Sequence, residues 1–264
     1  MKWLVPGCIA LSAIFTVPVF SAPQKDANYI IERSTEANER DWKAAPQYDY
    51  FERDREKDGG TKTFEELMIL GSPYERLVAV NGKTLAPEQR AEEHQKLNAV
   101  MRERQNEPPQ QRAQRITQYE KQRKRDRLLM EQMAKAFDFK LAGDQRLKDR
   151  QVYVLSAAPR PGYAPPNNEA KVLTGMKGTL WIDRQTFQWV KVEAQVVHPV
   201  SIAGFLARVE PGTRFELEKM PVEDGIWLPS HFAMTSKARV FFFFTRQRQE
   251  DETYFGYRKA AEVR

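Results

Sequence analysis

The chain has 264 residues, with 42 lysines and arginines against 36 aspartates and glutamates, three histidines and one cysteine. One cysteine excludes an internal disulfide framework, and His94, His198 and His231 are too scattered for metal-ligand spacing. The length is enough to bury a substantial core as one large domain or two small ones.

Residues 1–21 read as a secretory signal peptide. Lys2 gives a positive start, Ile9 to Phe20 is an apolar core too short to span a bilayer, and Ser21-Ala22 are small. Cleavage after Ser21 removes Lys2 and Cys8, so the mature chain, 22–264, has no cysteine. Val5-Pro6-Gly7-Cys8 resembles a lipoprotein cleavage box, but it precedes the apolar core that such a box should follow. No later segment is long and apolar enough to cross a membrane as a helix.

Asn28 to Ala45 is predicted helical, ended by Pro46, with Ile30, Ala37 and Asp41 near one stripe. Gln47 to Lys57 reads as a polar strand, and Asp58-Gly59-Gly60 turns it into a second, Thr61 to Leu70. Leu67 to Leu70 is apolar on both faces, as in a covered strand. After Gly71-Ser72-Pro73 a third strand runs from Tyr74 to Val80, and Asn81-Gly82 is a strong hairpin signal.

The period then changes. Pro87 suits a first helical turn, and Glu88 to Gln105 places Leu97, Val100, Met101 and Arg104 at helical spacing. Pro108-Pro109 breaks this helix. A second runs from Gln110 to Ala136, with Ile116, Leu129, Met130, Met133 and Phe137 as an intermittent apolar stripe. Residues 87–136 thus read as a helical insertion separable from the strands around it. The second helix carries Arg112, Arg115, Lys121, Arg123, Lys124, Arg125 and Arg127, opposed over that stretch only by Glu120 and Asp126. Two readings stand: a solvated, salt-bridged helix, or a contact surface for an anionic partner such as a membrane.

Strands resume at Phe137 to Leu141 and Gln151 to Ala157, followed by a Pro- and Asn-rich loop. Gly178 to Val197 reads as a hairpin. Leu180 and Ile182 share one face with Trp181 on the other, and Val190, Val192, Ala194 and Val196 alternate with Lys191, Glu193 and Gln195. A three- or four-residue turn through Arg184, Gln185 and Thr186 would join its two strands; three residues set Trp181 opposite Trp189, and four break that register. Further strands are expected at Thr213 to Met220, Ile226 to Pro229, Phe232 to Thr235, Arg239 to Arg246 and Glu252 to Arg258, making roughly eleven in all. Pro229 requires a bulge or an edge there. The four phenylalanines Phe241 to Phe244, read as one strand, put two large apolar groups on each face. Either both faces are covered by core, or one lines a cavity for an apolar ligand.

The catalytic inventory is thin, with no nucleophile elbow and no phosphate-cradling glycine loop. Glu65-Glu66 and Glu250-Asp251-Glu252 are adjacent carboxylates, and neighbours on a strand point to opposite faces. The expectation is a protein that is not an enzyme and has no cofactor and no metal. Export makes nucleic acid an unsuitable partner.

The signal peptide, the early helix followed by hairpins, GTLWIDRQTFQWVKVEA, EDGIWLP and RLVAVNGKTL together resemble the LolA/LolB-like superfamily of periplasmic lipoprotein-localisation factors. The resemblance implies an α+β fold in which a strongly curved antiparallel sheet, a half-barrel, wraps helices and forms an apolar cavity for acyl chains. Phe241, Phe242, Phe243, Phe244, Trp181 and Trp227 are the candidate lining. It further implies a periplasmic, non-catalytic role binding an acyl chain, lipid or lipoprotein. The alternative is a cell-envelope scaffold or sensor with a filled core, and a hydrolase comes third.

Overall fold

Along helix α1 (Ala27–Ala44) the buried residues are Ala27, Ile30, Ser34, Ala37, Asn38 and Asp41. Steps of three and four place them on one stripe, so a polar helix still has a face to seat on a sheet. The computed structural model describes residues 26–202, 207–240 and 244–261; the leader read into residues 1–21 lies outside the described residues. After α1 come β1 (Tyr48–Arg55), β2 (Thr61–Ile69), β3 (Ser72–Val80) and β4 (Lys83–Thr84), then α2 (Pro87–Asn106) and α3 (Pro109–Ala136). The chain continues through β5 (Phe137–Leu147), β6 (Arg150–Pro159), α4 (Asn168–Lys171), β7 (Met176–Asp183) and β8 (Trp189–Val196). It ends with β9 (Val200–Ser201), β10 (Ala207–Val209), β11 (Arg214–Pro221), β12 (Trp227–Val240) and β13 (Phe244–Lys259).

These form a 13-stranded sheet in the order β4-β3-β2-β1-β13-β12-β11-β8-β7-β6-β5, with β10 and β9 branching from β12. Every pairing is antiparallel, and β4 and β5 stay unjoined, so the curved sheet is an open half-barrel around α1 and α3. Its main core lies between α1, the C-terminal turns of α3 and the inner face of β5–β8 and β11. Ile30, Leu155 and Ile182 are fully buried there with Trp189, Val192 and Val196, and Met130 and Met133 pack against them. Each such side chain contributes about 1.5–3 kcal/mol by leaving water.

Asp41 anchors the far end of α1. Its Oδ1 accepts from Gln188 Nε2 (3.1 Å) and the Trp227 backbone N–H (3.1 Å), and its Oδ2 accepts from Lys219 Nζ (2.7 Å). Lys219 also donates to Asn38 Oδ1 at 3.0 Å. Burial pushes the Lys219 ammonium below its ordinary pKa, and Asp41 opposes that shift.

The helical hairpin is clamped on the β2–β3 corner. Arg104 donates to the carbonyls of Ile69 (2.9 Å), Ser72 (2.8 Å) and Pro73 (3.0 Å). Arg115 donates to Ser72 Oγ (2.6 Å) and the Leu70 carbonyl (3.1 Å). Helix α2 lies against β3 on the side of Tyr74, and α3 brings Tyr119 towards Tyr50 and Glu66 on the other. This explains why Leu67 to Leu70 is apolar on both faces.

Three strand expectations are corrected. The β7–β8 turn spans Arg184 to Gln188, because Asp183 Oδ1 accepts from the Gln185 N–H (2.9 Å), the Thr186 N–H (2.8 Å) and Thr186 Oγ1 (3.0 Å), and Phe187 takes a positive φ of 60°. The register is then Trp181↔Lys191 and Ile182↔Trp189 with a bulge between, so Trp181 and Trp189 are not partners. The bulge turns Trp189 inward with Val192, and Val190 outward with Val152, Trp181 and Trp227. Finally, the four segments expected after Glu223 are two long strands. Pro229 falls at a bulge opposite Glu218 and Lys219. Arg239↔Thr245 and Val240↔Phe244 pair, so Arg239 to Arg246 is not one strand but belongs to both β12 and β13.

Candidate ligand-binding site

Between α1, α3 and the sheet runs an apolar crevice lined by Ile31, Thr35, Met130, Met133, Phe137, Phe139, Leu180, Trp189 and Val192, with an open volume of about 40 Å³. That is room for a group about the size of one water, whose share of liquid volume is about 30 Å³. Two of its walls are methionines, unbranched and able to repack.

Beyond the crevice the inner sheet face continues through Phe215, Leu217, Phe232 and Met234, all half-buried, with Phe215 and Phe232 rings 5.4 Å apart. The paired row then reads Leu217, Phe232, Glu252, Asp54. On β13, β1, β2 and β3 the same face carries Glu250, Glu252, Tyr254, Tyr50, Glu52, Asp54, Glu66 and Glu75. A bulge at Gly256, whose φ is +63°, resets the alternation so that Tyr254 and Tyr257 both face Tyr50, at 5.9 and 5.2 Å between centroids. A Cβ at Gly256 would stand 2.9 Å from the Phe51 ring.

Burial, with Asp54 and Glu252 beside it, raises the Glu52 carboxyl to about 8. Burial and the Glu75 charge raise Glu66 to about 7. Tyr254 donates to Glu252. Glu52, Asp54 and Glu252 each offer an oxygen within 4.8 Å of the others, a donor set of the kind that hard cations take. A larger trough of about 530 Å³ is lined by polar groups including Lys177, Thr179, Glu193, Gln195, Arg214 and Glu216. These alternate onto the outer face, where Lys191 bridges Glu193 (2.7 Å) and Glu216 (2.8 Å).

Trp181 and Trp227 come together, but on that outer face, packed with Val152, Val190 and Leu147. Arg150 lies 4.5 Å from the Trp227 ring centroid and Lys191 lies 5.9 Å from that of Trp181. Phe241, Phe242 and Phe243 lie outside the described residues, as does the side chain of Phe244. The basic residues of α3 divide in two. Arg112 and Arg115 pair with Glu107, and Arg127 pairs with Glu39 (3.0 Å) and Glu131 (2.6 Å). Arg123 donates to Glu120 (3.1 Å), and its guanidinium lies 4.1 Å from the Trp42 ring centroid, with Arg127 at 4.8 Å. Lys121, Lys124 and Arg125 are exposed and make no ion pair with another described residue. They remain available to an anionic partner.

The acidic wall was missed in the sequence, although its signal is there: Glu52 with Asp54, and Glu250 with Glu252, are two apart on strands and so share a face. Asp251, between the latter two, turns away to His231 (3.1 Å).

Fold and site together define a curved-sheet half-barrel whose inner face runs from apolar to acidic. Among solved structures the chain is similar to an outer membrane lipoprotein-sorting protein domain from Vibrio parahaemolyticus, at 12% identity over 88% of this chain and 94% of that one, with a TM-score of 0.34. It is similar to a LolA superfamily protein from Nitrosomonas europaea at 11% identity, over 91% and 96% of the two chains, with a TM-score of 0.33. A MucA/MucB complex from Pseudomonas aeruginosa matches at 12% identity, over 86% and 99%, with a TM-score of 0.22. No protein-family model and no curated protein matches the sequence. The fold described above rests on this chain's own strand order and register. Among the described residues no helix is long and apolar enough to cross a membrane.

Proposed function

We propose that the chain is a non-catalytic, exported binding protein that takes a single apolar chain, such as an acyl chain, onto the inner face of its half-barrel. The observation that carries this is the crevice, which is apolar along its walls and is bounded by Met130 and Met133 of a helix whose remaining length is mostly polar. Ligand entry requires those methionines to repack and the space to widen. A second reading is favoured by the small volume of about 40 Å³: a scaffold whose inner face is filled by its own side chains.

Titration with a fluorescent acyl probe, alongside Met133→Trp, separates the two. The carrier binds the probe, and the tryptophan, filling the crevice, weakens binding about tenfold or more while melting stays cooperative. Absence of probe binding by the wild type, with a clean apo mass from native mass spectrometry, sinks the carrier and leaves the scaffold.

A further inference from the structure

We infer that the apolar chain bound by this half-barrel carries a positively charged head group. This rests on the reading above and adds the chemistry of the second half of the ligand.

Between the crevice and β1 the inner sheet face is half-buried, through Leu217, Phe232, Glu252, Glu52 and Asp54. Leu217 and Phe232 sit beside Glu252 and Asp54 in one paired row. Three strand spacings separate Leu217 from Asp54, about 14 Å at 4.7–4.9 Å each. A molecule lying along that row meets hydrocarbon at one end and carboxylates at the other. Glu52, Asp54, Glu66 and Glu252 have no ion-pair partner among the described residues, and Glu52 and Asp54 are hydrogen-bonded to each other. Among the described residues, Lys62 pairs with Glu56 at 2.9 Å, and Arg248 pairs with Glu250 at the edge of the wall.

Beside the carboxylates, the ring centroids of Tyr254 and Tyr257 lie 5.9 and 5.2 Å from that of Tyr50, and aromatic rings attract ammonium groups. A carboxylate or phosphate head placed here would meet like charge in a partly desolvated setting. Above about pH 8, where Glu52 has released its proton, an ammonium there meets opposite charge beside aromatic rings.

Three dodecyl amphiphiles with one chain and different heads test this by calorimetry on the full mature chain at pH 9, where Glu52 and Glu66 are ionised, each below its micelle-forming concentration: dodecyltrimethylammonium, dodecyl maltoside and laurate. The ammonium should bind about tenfold tighter than the maltoside and tighter still than laurate, and its advantage should shrink as salt rises. Glu52→Gln with Glu252→Gln should erase the ammonium preference and leave maltoside binding unchanged. Equal binding of all three heads, tighter laurate, or a preference that survives the glutamines overturns the charged-head inference while the apolar-chain reading stands. Binding of none of the three overturns both. The wild-type comparison needs no variant to fold, and Glu66→Gln alone supplies a milder substitution with the same expected direction.

Discussion

Replacing Glu52 by glutamine should flatten the pH dependence of stability. The folded-state pKa of Glu52 is about 8 against an ordinary 4.5, because of burial and the neighbouring carboxylates Asp54 and Glu252. The folded chain therefore keeps a proton that the unfolded chain has released at neutral pH. The stability this brings is full below the unfolded value and is lost as pH rises through about 8. At about 1.4 kcal/mol per pH unit the whole shift corresponds to roughly 5 kcal/mol, and solvent screening of a partly exposed side chain brings this to about 2. Only the part of this above pH 6 falls within urea unfolding of wild type at pH 6, 7.5 and 9, so Glu52 should contribute a fall of about 1 kcal/mol across the range, with a constant m-value. Glu52→Gln should lose less than half as much, and adding Glu66→Gln should leave the profile nearly level, since Glu66 titrates near 7 in the same direction. An unchanged slope in the double variant would refute the account of shared protons on the inner face.

Lys219→Ala leaves Asp41 buried without its cation and should lower stability by about 3–5 kcal/mol, read from urea midpoints, whereas Lys219→Met with Asp41→Asn, which still accepts from Gln188 and the Trp227 N–H, should recover much of it. Arg123→Ala removes a bond to Glu120 and the contact with the Trp42 ring and should cost about 2 kcal/mol, against less than 0.5 for Lys124→Ala, measured by chemical denaturation. Replacing 87–136 by a Gly/Ser linker removes the Arg104 and Arg115 clamps together with Met130, Met133 and Ala136, so the cooperative thermal transition in circular dichroism should disappear. A retained sharp transition would show that the helical hairpin is dispensable.

Much of the fold was legible because period and punctuation agreed. The helix expected over Asn28 to Ala45 is Ala27–Ala44, and the turn at Asn81-Gly82 has both residues at positive φ, 52° and 72°. What alternation could not reveal is where it is interrupted. A bulge beside Ile182 sends Val190 to one face and Val192 to the other, and another at Gly256 brings Tyr254 and Tyr257 to the same side. Each extra residue inverts every assignment beyond it. The acidic wall was hidden for a different reason: its members come from strands far apart in sequence, and only the β1–β13 pairing brings Asp54 beside Glu252. Both readings of the basic helix keep residues. Four of its seven cations are engaged: Glu120 and Glu131 are at helical spacing from Arg123 and Arg127 and were legible, whereas Glu39 and Trp42 come from α1, which no local spacing reveals.

Helix α3 ends at Ala136 and β5 begins at Phe137, with no residue between them. The two elements are therefore one mechanical lever. The long arm carries Met130 and Met133, and the short arm is an edge strand held on one side only, by β6. Tilting the helix to admit a guest applies torque to the ladder that starts at the Phe137↔Pro159 pair, and the fulcrum is Ala136, which is fully buried and accepts the Arg160 N–H at 2.7 Å. Amide exchange along Phe137 to Leu141 would then gauge occupancy from outside the crevice.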